Sequence, residues 1–201
     1  MNKIILASSS IYRKILLEKT GLAFSIKKPL YDEENVKQQA LAQKKSPIEI
    51  AEILSKGKAA AVYDQLPPRS DVLVIAGDQL VHFKNEIVGK SGDFENAKIQ
   101  LKKMINETHL LITAVTLQGE NFIRHFNHVT TLKMKNLNDQ EIEAYINLDQ
   151  PYDCAGSYKI ENSGLILFEK IECSDFTAIQ GLPLIWTTNQ LKELGYEFFK
   201  K

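Results

Sequence analysis

The chain has 201 residues, of which 44% are apolar and 25% are charged. This composition is that of an ordinary globular protein, with enough apolar side chains for one domain or two closely packed lobes. Lys and Arg together number 25, as do Asp and Glu, so no overall basic charge attracts nucleic acid or a membrane surface. Any anion must therefore bind at a local cluster of side chains.

The sequence carries no pattern typical of a membrane span or a secretion signal. A spanning helix needs about 18 consecutive apolar residues and a signal peptide needs about 7 to 15, and the apolar run in MNKIILASSS is shorter than either. Two cysteines, Cys154 and Cys173, are too few for a disulfide framework and are expected to be reduced thiols. A cytoplasmic protein is the expectation.

A strand, a loop and a helix are predicted at the start of the chain. Residues 3–7 form a short apolar run, and the serines after it lead into a helix from Ile11 to about Gly21, where apolar residues recur at helical spacing. Residues 22–27 predict a second strand.

A capping box marks the next helix. The polar stretch 32–45 predicts a loop with at most a helical turn. Ser46, Pro47 and Glu49 then fit an N-cap, a first-turn proline and the reciprocal acid of a capping box. A helix should therefore run from this point to about Asp64.

A buried strand is predicted at residues 72–76, because VLVIA is a continuous apolar run. The residues GDQ, 77–79, are expected to form a loop at its carboxyl end, which is where α/β proteins bind ligands. LVHF and EIVG, on either side of Lys84-Asn85, predict a small hairpin.

The remaining elements alternate between helices and strands. They are a helix at 93–105, a hairpin of strands 108–118 and 122–134, a helix from Asn138 to about Leu148, a strand at 165–172 and a last helix ending at Gly195. The mixture of βαβ-like units and hairpins predicts an α/β fold on a mixed, twisted sheet, in two lobes with a central cleft.

The stretch LASSSIYRK could hold phosphate. A strand that ends in serines before a helix offers hydroxyls, free backbone N–H groups and the positive end of a helix dipole. Arg13, in the first turn, adds a guanidinium that matches phosphate oxygens. The alternative is that one serine caps the helix and Arg13 is a solvated surface charge. The sequence contains no GxxxxGK[ST] loop, so a Walker-type site is not indicated.

Asp78 is the candidate for acid-base or metal chemistry. Directly after a buried strand, its carboxylate could bind a divalent ion or take a proton from water; the alternative is an aspartate that only forms a turn after glycine. Lys58 and Lys90 are unspecific alone, but beside Arg13 they would supply the positive charge that a triphosphate requires.

The histidines do not indicate a metal site. His125 and His128 are three residues apart in a predicted strand, so their side chains should point to opposite faces. Neither His82 nor His109 has a partner at ligand spacing, and a GxSxG or HExxH motif is absent from the sequence. The four histidines are therefore expected to be structural.

Seven motifs, in order along the chain, resemble the Maf septum-formation family of nucleoside triphosphate pyrophosphatases. They are LASSSIYRKILLEK, the pair Asp32-Glu33, GKAAA at 57–61, IAGDQLV, VGKSG, CAGSYKIE at 154–161 and GLPL at 181–184. The resemblance covers essentially the whole chain, so a single Maf-like domain over residues 1–201 is expected.

The resemblance implies a fold related to that of inosine triphosphate pyrophosphatases, in a cytoplasmic enzyme that is often a homodimer. It implies hydrolysis of a nucleoside triphosphate to the monophosphate and pyrophosphate, with Mg²⁺ or Mn²⁺ as cofactor. Asp78 matches the proton acceptor and, with Glu33 beside it, would hold the metal. The residues that would bind the substrate phosphates are Ser8, Ser10, Arg13, Lys58 and Lys90.

Three further residues bear on base specificity: Tyr12, Gln79 and Glu161. The branch of the family that acts on dTTP and UTP has, by resemblance, Arg, Thr and Gln there, whereas this chain resembles the branch that acts on 7-methyl-GTP. A carboxylate at Glu161 could accept from the N1–H and amine of guanine, and methylation at N7 gives the base a positive charge that Tyr12 and Glu161 would favour.

Two positions depart from the family pattern, and two other functions stay open. Ile11 stands where the family usually has proline, and Ser91 where it has the proline of GKP; neither change removes a charged group. The alternatives are a dTTP/UTP pyrophosphatase and a noncatalytic, nucleotide-binding regulator of septum formation. Neither membrane attachment nor stable nucleic-acid binding is expected.

Overall fold

The computed structural model describes residues 3–67 and 71–199. Within these ranges, seven strands are present: β1 (Lys3–Ala7), β2 (Phe24–Ile26), β3 (Val72–Phe83), β4 (Glu86–Val88), β5 (Thr108–Gly119), β6 (Phe122–Met134) and β7 (Phe168–Glu172). The helices are α1 (Ile11–Glu18), α2 (Glu33–Ala42), α3 (Pro47–Tyr63), α4 (Phe94–Met104), α5 (Asp139–Asp149), α6 (Phe176–Ile179) and α7 (Leu184–Glu193), with a 3₁₀ turn at Ser163–Leu167. None of these described helices has the length and apolar character needed to cross a bilayer.

The strands form one mixed sheet in the order β2-β1-β3-β5-β6-β7, with β4 paired to β3. Strand β1 is parallel to both β2 and β3, whereas β4 and β7 are antiparallel to β3 and β6. The chain leaves β1 through α1 to reach β2 on one side, and then returns through α2 and α3 to β3 on the other side. The α/β fold with a mixed sheet is confirmed, and β1 and β3 border the point where the strand order reverses.

Local signals in the sequence were the most accurate guides to the elements. Ser46 and Asn138 cap α3 and α5, each in a complete capping box. The hairpin between β3 and β4 turns at Lys84 and Asn85, both with positive φ, the backbone that such two-residue turns require. The hairpin of β5 and β6 also turns at the predicted residues, 119–121.

Two predicted boundaries were wrong. The polar stretch 32–45 contains a ten-residue helix, α2, capped by Asp32, whose side chain accepts from Asn35 N–H. Ala40 is the buried residue of this helix, so the sequence shows no apolar periodicity that would predict α2. Similarly, Ser163–Leu167 is a 3₁₀ turn, and strand β7 begins only at Phe168.

Strand β3 also extends further than predicted. It does not end at Ala76 but continues through Gly77 and Asp78 to Phe83. Gly and Asp are poor strand formers, but β3 continues beside β5 after β1 has ended at Ala7, and this sheet context overrides local preference. Asp78 is therefore held within a strand rather than in a loop.

The chain divides into two compact units. The first consists of Met1–Asp78, Thr113–His128 and Asp175–Lys201, and the second of Gln79–Ile112 and Val129–Ser174. The divisions fall inside β3, β5 and β6.

In the first unit, side chains that alternate along the strands face two different helix layers. Leu73 and Ile75 of β3 pack with residues of α1 and α7, such as Leu16 and Leu191. Val74 and Ala76, which alternate with Leu73 and Ile75, pack against α3 instead. They belong to a second cluster, which consists of Ala7, Ala59, Val62, Val74 and Ala76. The two-residue period of a strand explains this division, which places α3 on one side of the sheet and α1 with α7 on the other.

The second unit contains a buried aromatic cluster of His109, Tyr158 and Phe168. The ring centroids of His109 and Phe168 are 5.8 Å apart, and those of Tyr158 and Phe168 are 5.0 Å apart. His109 Nε2 lies 3.1 Å from the Tyr158 hydroxyl. Burial lowers the pKa of His109 to about 4, since a protonated ring would be poorly solvated there.

We expect His109 to make the fold sensitive to acid. An unfolded histidine titrates near pH 6.5, so the unfolded chain binds more protons than the folded chain between about pH 6.5 and 4, and stability falls as the pH falls through this window. Urea unfolding at pH 7 and pH 4.5 should show that His109→Gln removes roughly 2 kcal/mol of the loss seen in the parent. His82→Gln is the matched control, and an equal acid loss in both variants would contradict the assignment.

Candidate active site

The carboxyl end of β1 leaves part of β3 uncovered. Ala7, the last residue of β1, pairs with Ala76 of the parallel strand β3, so Gly77 and Asp78 extend beyond it. The strand order reverses at this pair of strands, and such a reversal, at the carboxyl ends of parallel strands, is where open α/β sheets bind ligands. Asp78 and the loop that follows Ala7 therefore lie where this kind of sheet is expected to bind a ligand.

The serine loop after β1 is organised around Arg13. Ser8 is buried, and its Oγ accepts from Ser10 N–H at 3.1 Å and from Arg13 Nη1 at 3.3 Å. Ser10 is the N-cap of α1 and accepts from Arg13 N–H. One serine does cap the helix, but Arg13 is not a solvated surface charge, because its Nε donates to the carbonyl of Gly181 at 2.8 Å.

Two glycines make room for the Arg13 side chain. A Cβ at Gly77 would lie 3.0 Å from Arg13 Nε and 3.2 Å from the carbonyl of Ala114. Gly181 has a φ of +107°, a conformation that other residues rarely adopt. The guanidinium is therefore fixed from two sides by backbone positions at which a larger residue would be strained.

The loop that carries Gly181 is itself held by Asp175. Its carboxylate accepts from Thr177 N–H at 2.9 Å and from Ile185 N–H at 2.8 Å. The Thr177 hydroxyl accepts from Leu184 N–H, and His128 Nε2 accepts from Asp175 N–H at 3.2 Å. This hydrogen-bonded turn positions the carbonyl that orients Arg13.

An ion pair between Lys58 and Asp78 forms the centre of the site. Lys58 Nζ lies 2.6 Å from Asp78 Oδ1 and 2.8 Å from Glu33 Oε2. Lys58 and Asp78 are only 6% and 5% exposed, whereas the side chain of Glu33 is half exposed. A charge buried to this extent requires a partner of opposite sign, and Lys58 provides it for Asp78.

Tyr31 and Gly57 border the ion pair. Burial raises the pKa of Tyr31, and the negative charges of Asp78 and Glu33 raise it further. A Cβ at position 57 would lie 2.1 Å from the Tyr31 hydroxyl, so α3 needs a glycine one residue before Lys58. The phenol therefore packs over α3 beside both carboxylates.

The second oxygen of Asp78 is available for chemistry. Oδ2 is buried and has no hydrogen-bond partner within residues 3–67 and 71–199, although an unsatisfied buried carboxylate oxygen is costly.

With two carboxylates and one ammonium, the Asp78, Glu33 and Lys58 cluster has a net negative charge. No group of three or more His, Cys, Asp or Glu in the described part of the chain could hold a metal. Mg²⁺ commonly uses only one or two carboxylates together with substrate phosphates, so Asp78 and Glu33 fit an ion of this kind.

The other predicted site residues are placed as follows. Tyr12, half-buried, lies on α1 beside Arg13 in the first unit. Gln79 follows Asp78 in β3 and is the first residue of the second unit. Lys90 is exposed in the second unit, where its backbone pairs with Ala155. The structure thus brings together Ser8, Ser10 and Arg13 in one group and Glu33, Lys58 and Asp78 in another.

Glu161 lies in the second unit near Cys154 and Tyr158. Burial raises the pKa of Cys154 to about 12, and the charges of Asp153 and Glu161 add to this effect. Burial likewise raises the pKa of Tyr158, with a smaller contribution from Glu161. A thiol with so high a pKa is not a nucleophile at neutral pH. Of Cys154, Tyr158 and Glu161, the carboxylate of Glu161 is therefore the group that could bind a ligand.

The sequence analysis did not identify Tyr31, Gly77 or Asp175 as site residues. Tyr31 stands in a polar stretch with no periodic pattern, and Gly77 was interpreted only as part of a turn. Asp175 did carry a signal, because SDFT has an aspartate two residues before a threonine, the spacing of a local side-chain cap. Its role in fixing Gly181 depends on long-range contacts that spacing does not reveal.

A family model for Maf-like proteins matches residues 3–194. The chain belongs to the Maf family.

Curated relatives cover nearly the same length. A protein of Bdellovibrio bacteriovorus named 7-methyl-GTP pyrophosphatase is 45% identical over 91% of this chain and 92% of its own. Proteins with the same name from Xanthomonas axonopodis pv. citri and Cupriavidus pinatubonensis are 36% and 38% identical, each over 98% of this chain and over 99% and 96% of their own.

The buried ion pair of this Maf protein should be strongly coupled. Lys58→Met leaves the Asp78 carboxylate buried opposite an apolar side chain, so we expect a loss of about 3 to 5 kcal/mol in the free energy of unfolding. Adding Asp78→Asn removes that charge, and the double variant should be more stable than Lys58→Met alone. Urea denaturation at pH 7 of the four proteins in the cycle measures the coupling.

Lys45→Met is the control for the loss of the lysine itself. Lys45 pairs with Glu49 on the exposed surface of the first unit, where such pairs contribute little, so its unfolding midpoint should barely move. If Lys58→Met were as mild as Lys45→Met, or if the double variant were the least stable of the four, the ion pair would not be what keeps Asp78 buried.

Proposed function

We propose that this Maf protein is a nucleoside triphosphate pyrophosphatase that hydrolyses 7-methyl-GTP to the monophosphate and pyrophosphate. The observation that carries the proposal is the state of Asp78: one carboxylate oxygen is held by Lys58 at 2.6 Å, and the other is buried without a hydrogen bond among the described residues. The relatives named 7-methyl-GTP pyrophosphatase support the choice of substrate.

Asp78 is the proton acceptor in this proposal. Because Lys58 binds Oδ1, Oδ2 is the oxygen that can accept a proton from water. The oxygen of that water forms a bond to the α-phosphorus, the α–β anhydride bond breaks, and the electron pair leaves with pyrophosphate. A strand position gives Asp78 a rigid backbone, so the water would be oriented rather than merely bound.

The phosphate chain would be bound by the serine loop and Arg13. The Ser8 hydroxyl accepts two hydrogen bonds, which leaves its own O–H to donate. The first N–H groups of α1 and the fixed guanidinium add donors and positive charge where negative charge develops on the leaving pyrophosphate. Lys90, proposed from the family motif VGKSG, would add a further positive charge.

Asp78 and Glu33 would hold a divalent cation, Mg²⁺ or Mn²⁺, together with the substrate phosphates. When bound, such an ion lowers the pKa of water and neutralises phosphate charge. Lys58 uses two of its three N–H donors on these carboxylates, which links both of them to one ammonium group.

Base recognition is proposed to depend on Tyr12, Gln79 and Glu161. A carboxylate can accept from guanine N1–H and the exocyclic amine together, and it attracts the positive charge that N7 methylation creates. The same carboxylate would repel the acceptor edge of a pyrimidine, so a dTTP/UTP pyrophosphatase is the second candidate. A noncatalytic regulator is third, since it would not need the unsatisfied oxygen of Asp78. A cytoplasmic location and a homodimer, both implied by the family resemblance, stay predictions.

Asp78→Asn should abolish turnover without unfolding the protein. An amide cannot take the proton, so kcat for 7-methyl-GTP should fall by at least about 100-fold. The assay is pyrophosphate release, separated from orthophosphate, with Mg²⁺ or Mn²⁺ and a panel of 7-methyl-GTP, GTP, dTTP, UTP and CTP. Asp64→Asn, at the exposed end of α3 in the same unit, is the matched control and should keep full activity.

The panel distinguishes the three candidates. Pyrophosphate released chiefly from 7-methyl-GTP supports the proposal, and a preference for dTTP or UTP keeps the chemistry but overturns the substrate. Binding without turnover of any nucleotide, with either metal, favours the regulator.

Glu161→Gln should weaken the preference for guanine. The variant keeps the size of the side chain but loses the charge, so kcat/KM for 7-methyl-GTP should fall about tenfold or more, which corresponds to about 1.4 kcal/mol, while the values for UTP stay unchanged or rise. Glu169→Gln, an exposed carboxylate on β7 of the same unit, is the control. Equal losses for purine and pyrimidine substrates would show that Glu161 does not read the base.

A further inference from the structure

A buried row of polar side chains, Ser55, Thr116 and His125, connects α3 with β5 and β6 in the first unit; we call it the polar column. Ser55 Oγ and Thr116 Oγ1 are 2.7 Å apart, and Thr116 Oγ1 lies 3.0 Å from His125 Nδ1. Ser55 and Thr116 are completely buried. Polar groups cost free energy when they leave water, and the hydrogen bonds that they make with each other offset this cost. Two apolar residues would fill this space without that cost, so we expect the polar side chains of the column to have a role besides filling the core.

The hydrogen bonds along the polar column have a fixed order of donors and acceptors. The Thr116 hydroxyl has a single hydrogen, so it donates to one of its two partners and accepts from the other. Burial lowers the pKa of His125, which favours the neutral ring. Glu52 Oε2 lies 3.8 Å from His125 Nε2, beyond hydrogen-bond distance. The connection between Ser55 and His125 therefore depends on the hydroxyl at position 116.

The polar column meets α3 one helical turn before Lys58. Ser55 and Lys58 are three residues apart, the spacing at which helix residues are neighbours on one side. Val115 and Leu117 pack in the cluster that contains α1 and α7, so Thr116, between them, faces α3. Asp78 and Thr116 therefore project from the same side of the sheet toward the same helix.

Near the site, the apolar contacts of α3 are made largely by small side chains. Beyond Ser55, the helix packs through Ala59 and Val62 against Ala7, Val74 and Ala76, and burial of small apolar side chains is not directional. A hydrogen bond is directional and weakens steeply with distance and angle. The hydrogen bond of Ser55 therefore adds a directional contact to α3 one turn before Lys58, whose ammonium lies 2.6 Å from Asp78 Oδ1.

We propose that Thr116, through Ser55 and His125, is a positioning residue that sets α3 so that Lys58 holds Asp78 Oδ1. Thr116 acts through Lys58 and touches neither substrate nor reacting atoms. The inference rests on the proposed function, in which Asp78 Oδ2 accepts the proton. Arg13 and the serine loop belong to the α1 side of the sheet, so the polar column acts on the Lys58 and Asp78 pair and not on that loop.

The test compares Thr116→Val with Thr116→Ser in the full-length protein. Valine has nearly the shape of threonine but no hydroxyl, whereas serine retains the hydroxyl. Pyrophosphate release from 7-methyl-GTP with Mg²⁺ should show kcat about tenfold lower for Thr116→Val, with KM within about twofold of the parent, and kcat close to the parent for Thr116→Ser. Thr187→Val, which removes a buried hydroxyl that donates to Pro183 in α7, should lose stability but keep kcat.

A second readout does not depend on turnover. The Lys58/Asp78 cycle of unfolding free energies, repeated in the Thr116→Val background, should show the coupling reduced by at least half. If Thr116→Val does not fold, Ser55→Ala takes the place of that variant in both assays, because it removes the same hydrogen bond from the α3 side.

The two readouts separate this inference from the proposed function. An unchanged coupling, or equal kcat for Thr116→Val and Thr187→Val, overturns the positioning role. A parent protein that hydrolyses no nucleotide overturns the proposed function, and the coupling then decides alone whether the polar column positions Lys58.

Discussion

The ion pair between Lys58 and Asp78 is the constraint on which the arrangement of the first unit depends. A carboxylate that is 5% exposed needs a partner of opposite charge, and here the partner comes from a lysine of α3, 2.6 Å away. Helix α3 can approach closely because its contacts with β3 are made by small residues such as Ala59 and Ala76. Glycine at position 57 allows Tyr31 to lie beside the pair.

Two successive residues of β3 serve opposite sides of the sheet. Gly77 leaves space for Arg13 on the side of α1 and α7, and Asp78 projects toward Lys58 on the side of α3. The alternation of a strand makes this possible without a loop. Because β1 ends at Ala7, opposite Ala76, both residues lie where β3 has lost one neighbour. Arg13 and Lys58 therefore meet β3 at adjacent residues while each is held by a separate helix layer.

The sequence predicted those features that depend on neighbouring residues. The capping boxes at Ser46 and Asn138 and the turn at Lys84-Asn85 are local, and all three are present. Helix α2 was missed because it buries little, and β3 was ended too early because Gly77 and Asp78 disfavour strands while their sheet neighbours keep them extended.

The candidate site was predictable by residue type but not by contact. The sequence indicated Arg13 as a phosphate ligand, and the resemblance to the Maf family indicated Asp78 as a base. Neither showed that Arg13 would be held by the Gly181 carbonyl or that Lys58 would bridge Asp78 and Glu33. Such pairings follow from the topology of the sheet, which spacing along the chain does not encode.

The separation of these contacts along the chain bears on how the protein is made. Lys58 and Asp78 are 20 residues apart, whereas Arg13 and Gly181 are 168 apart. Because a chain leaves the ribosome from its N-terminus, the lysine and aspartate can meet early in synthesis, but Arg13 lacks its carbonyl partner until Gly181 has emerged. A nascent chain that stops short of Gly181 would thus carry the Lys58–Asp78 pair without the contact that orients the Arg13 guanidinium.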